Sequence, residues 1–69
     1  MVKTEELRSK ISESGLKKGY IAEQLGITYA GYALKEKGQN EFTASEIQAL
    51  RKILSLSDRD VKRIFLSQE

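Results

Sequence analysis

Apolar residues in this chain recur three and four positions apart along its whole length, and β-branched residues never alternate over a useful length. Leu7 with Ile11, Ile21 with Leu25, Leu50 with Leu54 and Val61 with Ile64 all keep that spacing. A repeat of about 3.6 residues lays such side chains along one stripe of an α-helix, whereas a half-buried strand needs alternation by two. Glycine then cuts the pattern into short pieces, because Gly15, Gly26 and Gly38 each follow a periodic stretch. The chain is therefore confined to an all-α arrangement of short helices.

The spacing predicts five of them. The first covers Thr4–Ser14, with Thr4 as N-cap and Gly15 as its stop, and Leu16 packs inward from the connection. The second runs over Lys18–Leu25 and presents Ile21, Ala22 and Leu25 before Gly26 ends it. Thr28 caps a third helix that reaches about Lys37, with Gly38 just past its end. After a loop that is polar except for Phe42, Thr43-Ala44-Ser45-Glu46 has the form of a capping box, and Phe42 and Ile47 are spaced as a hydrophobic staple. The fourth helix presents Ile47, Leu50, Ile53 and Leu54. The fifth starts at Ser57-Asp58-Arg59-Asp60, with its acids in the first turn, and buries Val61, Ile64 and Phe65. Residues 67–69 should fray. With no repeat, linker or low-complexity tract, residues 1–69 read as one domain.

Composition removes several function classes. The chain has no His and no Cys, so the commonest general base, the commonest metal ligand and all thiolate chemistry are missing. Its glycines are scattered and form no phosphate cradle, and a helical domain of 69 residues offers little cleft. The expectation is a non-enzyme with no metal, no cofactor and no small-molecule ligand. No apolar run approaches the roughly 18–20 residues of a membrane span, and the opening residues lack the apolar core of a signal peptide. No membrane association and a cytoplasmic address are expected. The net charge is only +2, but its distribution is uneven. Between Lys17 and Gln39, four lysines (Lys17, Lys18, Lys35 and Lys37) face two glutamates, Glu23 and Glu36, while the remaining charges cancel. The positive excess lies in one segment.

That segment also meets a sterically demanding pattern. Two short helices crossing over a tight turn need a small residue where they approach, a residue tolerant of left-handed backbone in the turn, and apolar residues around both. In Ile21-Ala22-Glu23-Gln24-Leu25-Gly26-Ile27-Thr28 the small residue is Ala22, the turn residue is Gly26, and Ile21, Leu25 and Ile27 surround them. The unit Lys18–Lys37 thus reads as a helix-turn-helix.

The stretch GLKKGYIAEQLGIT, followed by FTASEIQALRKILSL, resembles the Cro/C1-type helix-turn-helix family of phage and bacterial regulators. It is similar in particular to small single-domain regulators from phages of Gram-positive hosts. The resemblance spans about Leu7 to Phe65 and implies a compact five-helix, lambda-repressor-like DNA-binding domain. It implies a double-stranded DNA operator as partner, read as a repressor or other transcriptional regulator would read it. The helix from Thr28 to Lys37 would lie in the major groove. Carried over, Thr28, Tyr29, Ala30, Ala33 and Leu34 would approach base edges. Lys17, Lys35, Lys37, Gln39 and Asn40 would touch phosphates, and Lys18 would either do so or support the third helix. The family usually has a branched aliphatic where Tyr32 stands and an apolar residue where Lys35 stands. The base-facing set also lacks Gln, Asn and Arg, which leaves apolar contact with thymine methyl groups, phosphate anchoring and DNA shape as means of readout.

Three tyrosines fall in this region: Tyr29 is expected on DNA, Tyr32 in the core, and Tyr20 is open between the two. Gly31 weakens the third helix by about 1 kcal/mol relative to Ala, either to admit DNA closely or for no functional reason. The run Ile64-Phe65-Leu66 is too apolar for one helix face, so Phe65 and Leu66 are expected to contact a second copy, giving a homodimer at least on DNA. The competing reading is a helix-turn-helix used as a protein-interaction module, as an antirepressor, antitoxin-like partner or assembly adaptor. The apolar set Tyr29, Ala30 and Leu34 favours that alternative.

Overall fold

A computed structural model describes residues 3–66, so the expectation that 67–69 fray lies outside the described residues. Five helices follow one another: α1 (Thr4–Ser14), α2 (Lys18–Leu25), α3 (Tyr29–Glu36), α4 (Ala44–Ile53) and α5 (Asp58–Phe65). No strand occurs among the described residues. Helix α2 packs on both α3 and α4, α1 packs on α3 and α5, and α4 closes against α5. The radius of gyration is 10.8 Å, close to the roughly 11 Å of a fully collapsed chain this long.

Each helix contributes side chains that its spacing predicts, although Val61 of α5 is only half-buried at the edge of the core. The core joins Leu7 and Ile11 of α1, Ile21 and Ala22 of α2, Tyr32 of α3, Leu50 and Leu54 of α4, and Ile64 and Phe65 of α5. Phe42 is buried more deeply than a local staple needs. Its ring meets Tyr32 at 6.2 Å and stands edge-on to Phe65 at 5.5 Å, so one loop residue joins α3 to α5. Edge-to-face geometry sets the positive ring edge against the negative face of its neighbour.

Side-chain caps start α3, α4 and α5, whereas α1 and α2 begin at lysines that make no such bond. Lys3 rather than Thr4 is the N-cap of α1, and it makes no side-chain cap bond. The reason is tertiary: the Lys3 amide donates to the Ile64 carbonyl at 2.8 Å, which fixes where α1 begins. Thr28 does cap α3, and Thr43 and Glu46 complete the capping box of α4. Helix α5 opens with a second box, in which Ser57 Oγ accepts the Asp60 amide at 3.1 Å and Asp60 Oδ2 accepts the Ser57 amide at 3.1 Å. At the end of α2, Gly26 takes φ +75° and the Ile27 amide reaches back to the Ala22 carbonyl at 3.1 Å. Left-handed backbone there is cheap only for glycine. The same geometry follows α4, but Ser55 occupies it at φ +54°.

Candidate functional site

Helix α3 is held from behind by three side chains. Tyr32 is fully buried, and its hydroxyl donates to Glu36 Oε2 at 3.4 Å. Glu36, one turn later on the same inward stripe, is itself buried and receives Lys18 Nζ on Oε1 at 3.1 Å, with Arg8 Nε at 3.9 Å from that oxygen. Burial and the adjacent Glu36 carboxylate push the Tyr32 hydroxyl far above its usual titration range, so it stays a donor. The third contact is Lys35, whose ammonium lies 2.6 and 2.7 Å from the two Glu46 carboxylate oxygens.

Glu46 therefore serves two partners. Its Oε1 also accepts the Thr43 amide at 2.9 Å, so one carboxylate caps α4 and anchors α3. Burial works against its charge, but hydrogen bonds from Lys35 and Thr43 outweigh burial and hold the carboxyl below its ordinary value.

These contacts separate the expected site residues into two groups. Lys35 departs from expectation: it faces inward to Glu46 rather than outward toward a phosphate. Of the two roles expected of Lys18, the structure builds the supporting one. Sequence spacing does not reveal either buried carboxylate: Glu36 gives a weak signal, lying four residues after Tyr32 on the inward stripe, and Glu46 has the local signature of a cap alone.

The opposite face of α3 is open. Tyr29, Ala30 and Leu34 are exposed, Tyr29 by 58%, and Ala33 between them is half-buried. Thr28, Lys37, Gln39 and Asn40 are exposed around this patch. Gln39 and Asn40 are set in place by their backbone, because both amides donate to the Leu34 carbonyl, at 2.9 and 3.3 Å. Lys17 and Lys37 form no ion pair among the described residues, whereas Lys18 and Lys35 both do. Glu36 and Glu46 are turned inward and place no carboxylate on this face.

Tyr29 leans on α2. A Cβ added to Gly19 would sit 3.9 Å from its ring, an ordinary van der Waals distance, so the tyrosine lies along the start of that helix. Together with Ile11, Leu16, Tyr20 and Glu23 it borders an open groove of about 850 Å³ between the end of α1 and the start of α2. Tyr20 is 46% exposed and belongs to that rim rather than to the core. Gly31 has a local explanation: a Cβ there would lie 3.1 Å from the Thr28 hydroxyl, which caps α3 by accepting the Gly31 amide at 3.0 Å.

At the other end of the molecule, the expected dimer pair is divided. Phe65 is buried in its own core against Phe42 and cannot also meet a second copy, while Leu66 is 58% exposed. The mixed charges here are used internally: Arg63 binds both Glu6 and Asp60, and Lys10 lies 3.6 Å from Asp60, tying α1 to α5. Among the described residues no helix is long and apolar enough to cross a membrane. No protein-family model, curated protein or solved structure matches this chain.

Proposed function

We propose that the chain is a sequence-specific, double-stranded DNA-binding transcriptional regulator of the Cro/C1 type, in which α2, the turn Gly26-Ile27-Thr28 and α3 act as a helix-turn-helix. One observation carries this reading. The ion pairs and buried side chains that anchor α3 are on its inward side, which takes the Glu36 and Glu46 carboxylates off the outward one, and Lys17 and Lys37, without an ion pair among the described residues, are exposed at its margins. A helix of this kind fits the major groove, with the residues of its first turns toward base edges and the flanking lysines and loop toward phosphates. The start of α2 adds to this. Its N-cap Lys17 makes no side-chain cap bond, forms no ion pair among the described residues and is followed by a first turn that holds no acid, an arrangement that favours an anion. Half-sites about 34 Å apart, read by a symmetric dimer, are the usual complement of such a unit, and Leu66 is the apolar residue left available for that contact.

The test is selection of the purified protein against random duplexes at low and physiological salt, with Lys37→Ala in parallel. Enrichment of a palindrome is expected, together with a salt dependence whose log–log slope falls by about one unit in the variant. Lys35→Ala is the wrong probe, because its ammonium neutralises Glu46.

A second reading rests on the apolar character of the same face, since Tyr29 and Leu34 are both large and exposed. As a protein-interaction module the chain would bind a partner helix, and that binding would hardly respond to salt. Absence of any enriched duplex, with salt-insensitive binding to a protein, would favour it.

A further inference from the structure

The outward face of α3 also bears on what it reads, and the argument rests on the DNA-binding proposal above. Direct readout of guanine or adenine uses side chains that present two hydrogen-bonding atoms to one base edge, chiefly Arg, Lys, Asn and Gln. None of Arg, Asn or Gln occurs between Thr28 and Lys37. Two lysines do, and neither is placed for it. Lys35 is bound to both oxygens of Glu46, and Lys37 sits at the C-cap, away from the first turns that meet base edges. The Thr28 hydroxyl already accepts the Gly31 amide. What remains exposed at the head of the helix is mostly apolar, the Tyr29 ring, the Ala30 methyl and the Leu34 isobutyl group, and its polar atoms are the hydroxyls of Thr28 and Tyr29, each a single atom that does not pair with two atoms of one base edge.

Ala30 and Leu34 lie one helical turn apart on a single stripe, and Tyr29 flanks them. At about 1.5 Å per residue the patch is roughly 7 Å long, the rise of about two base-pair steps. In the major groove one base edge offers an apolar group, the C5-methyl of thymine. We propose that this face selects its site through thymine methyl groups, two or three per half-site, seated against Tyr29, Ala30 and Leu34, while the phosphate contacts set only the register.

Deoxyuridine isolates this contact. It pairs as thymidine does and keeps every phosphate and every hydrogen-bonding atom, and it lacks only the methyl. The best duplex from the selection is resynthesised with deoxyuridine replacing thymidine one position at a time and titrated with the full-length protein at fixed salt. A loss of about three- to fivefold is expected at two or three positions in each half-site, the effect of withdrawing one buried methyl, with no change elsewhere. Leu34→Ala should abolish the response at one of these positions and leave the salt slope unaltered, and its thermal midpoint reports that it still folds. Equal affinity for the thymine duplex and its fully uracil-substituted counterpart would overturn methyl readout while leaving DNA binding intact. Selection of no duplex at all would overturn the DNA-binding reading, and this inference with it.

Discussion

The Lys35 ammonium binds both carboxylate oxygens of Glu46, at 2.6 and 2.7 Å, and so fastens the end of α3 to the first turn of α4. Both side chains are largely withdrawn from solvent, at 16% and 10% exposure. Screening therefore weakens this pair less than one on the surface, and removing one partner strands the other. Lys35→Ala should destabilise the protein by about 1 to 3 kcal/mol in urea unfolding. Lys35→Met with Glu46→Gln should recover part of that loss, because the double variant buries no lone charge. Equal stability of Lys35→Ala and wild type would show that the pair contributes nothing.

Acid should act through the same carboxylate. Glu46 titrates below its ordinary value of 4.5, so its folded form binds the proton less readily than its unfolded form. Its contribution is complete above that ordinary value and is lost as pH falls through the depressed one. The urea midpoint of wild type should decline below about pH 4.5, and the decline should be shallower in Glu46→Gln. Parallel curves for the two proteins would assign the acid sensitivity to other groups.

Ser55 occupies a left-handed position that suits glycine, at φ +54°. The geometry there closes α4: the Leu56 amide donates to the Arg51 carbonyl at 2.9 Å, and Leu56 is then delivered to the core. Relief of the Cβ clash outweighs the chain entropy that glycine adds, so Ser55→Gly should stabilise by about 0.5 to 1 kcal/mol. Thermal melts would detect this as a rise of a few degrees, and a fall would show that Ser55 is not strained.

Gly31 is coupled to its cap. Alanine there should gain about 1 kcal/mol of helix propensity, but its Cβ would crowd the Thr28 hydroxyl at 3.1 Å. Gly31→Ala should be nearly neutral in wild type. In a Thr28→Ala background, itself about 1 kcal/mol less stable, the same change should be stabilising. Strict additivity in the double-mutant cycle would refute the coupling.

Phe65 and Leu66 are adjacent in sequence and opposite in role. Phe65→Ala should cost about 3 to 5 kcal/mol, which is most of the stability of a domain this size. Leu66→Ser should leave unfolding within about 0.5 kcal/mol of wild type. Sedimentation then isolates self-association: if the protein dimerises through the end of α5, Leu66→Ser shifts it toward monomer while the fold persists.

What could be read in the residues was what is decided within a few positions along the chain. Apolar spacing specified the five helices, left-handed glycines the ends of the first three, and Thr28, Thr43 and Glu46 the starts of α3 and α4, because each of these interactions closes within one helical turn. The inward side of α3 was legible through Tyr32, and its outward side through Tyr29, Ala30 and Leu34, for the same reason. The partners across the fold were not legible. Nothing near Lys3 announces the Ile64 carbonyl that displaces Thr4 as cap, and nothing near Lys35 announces Glu46. Glu36 draws its cations from α1 and α2, and Phe42 joins α3 to α5. These contacts connect segments distant along the chain, and local periodicity carries no information about which charge will meet which. Tertiary packing alone decided that Lys18 and Lys35 brace α3 while Lys17 and Lys37 form no ion pair among the described residues, because a buried carboxylate is costly unless a cation or donor meets it.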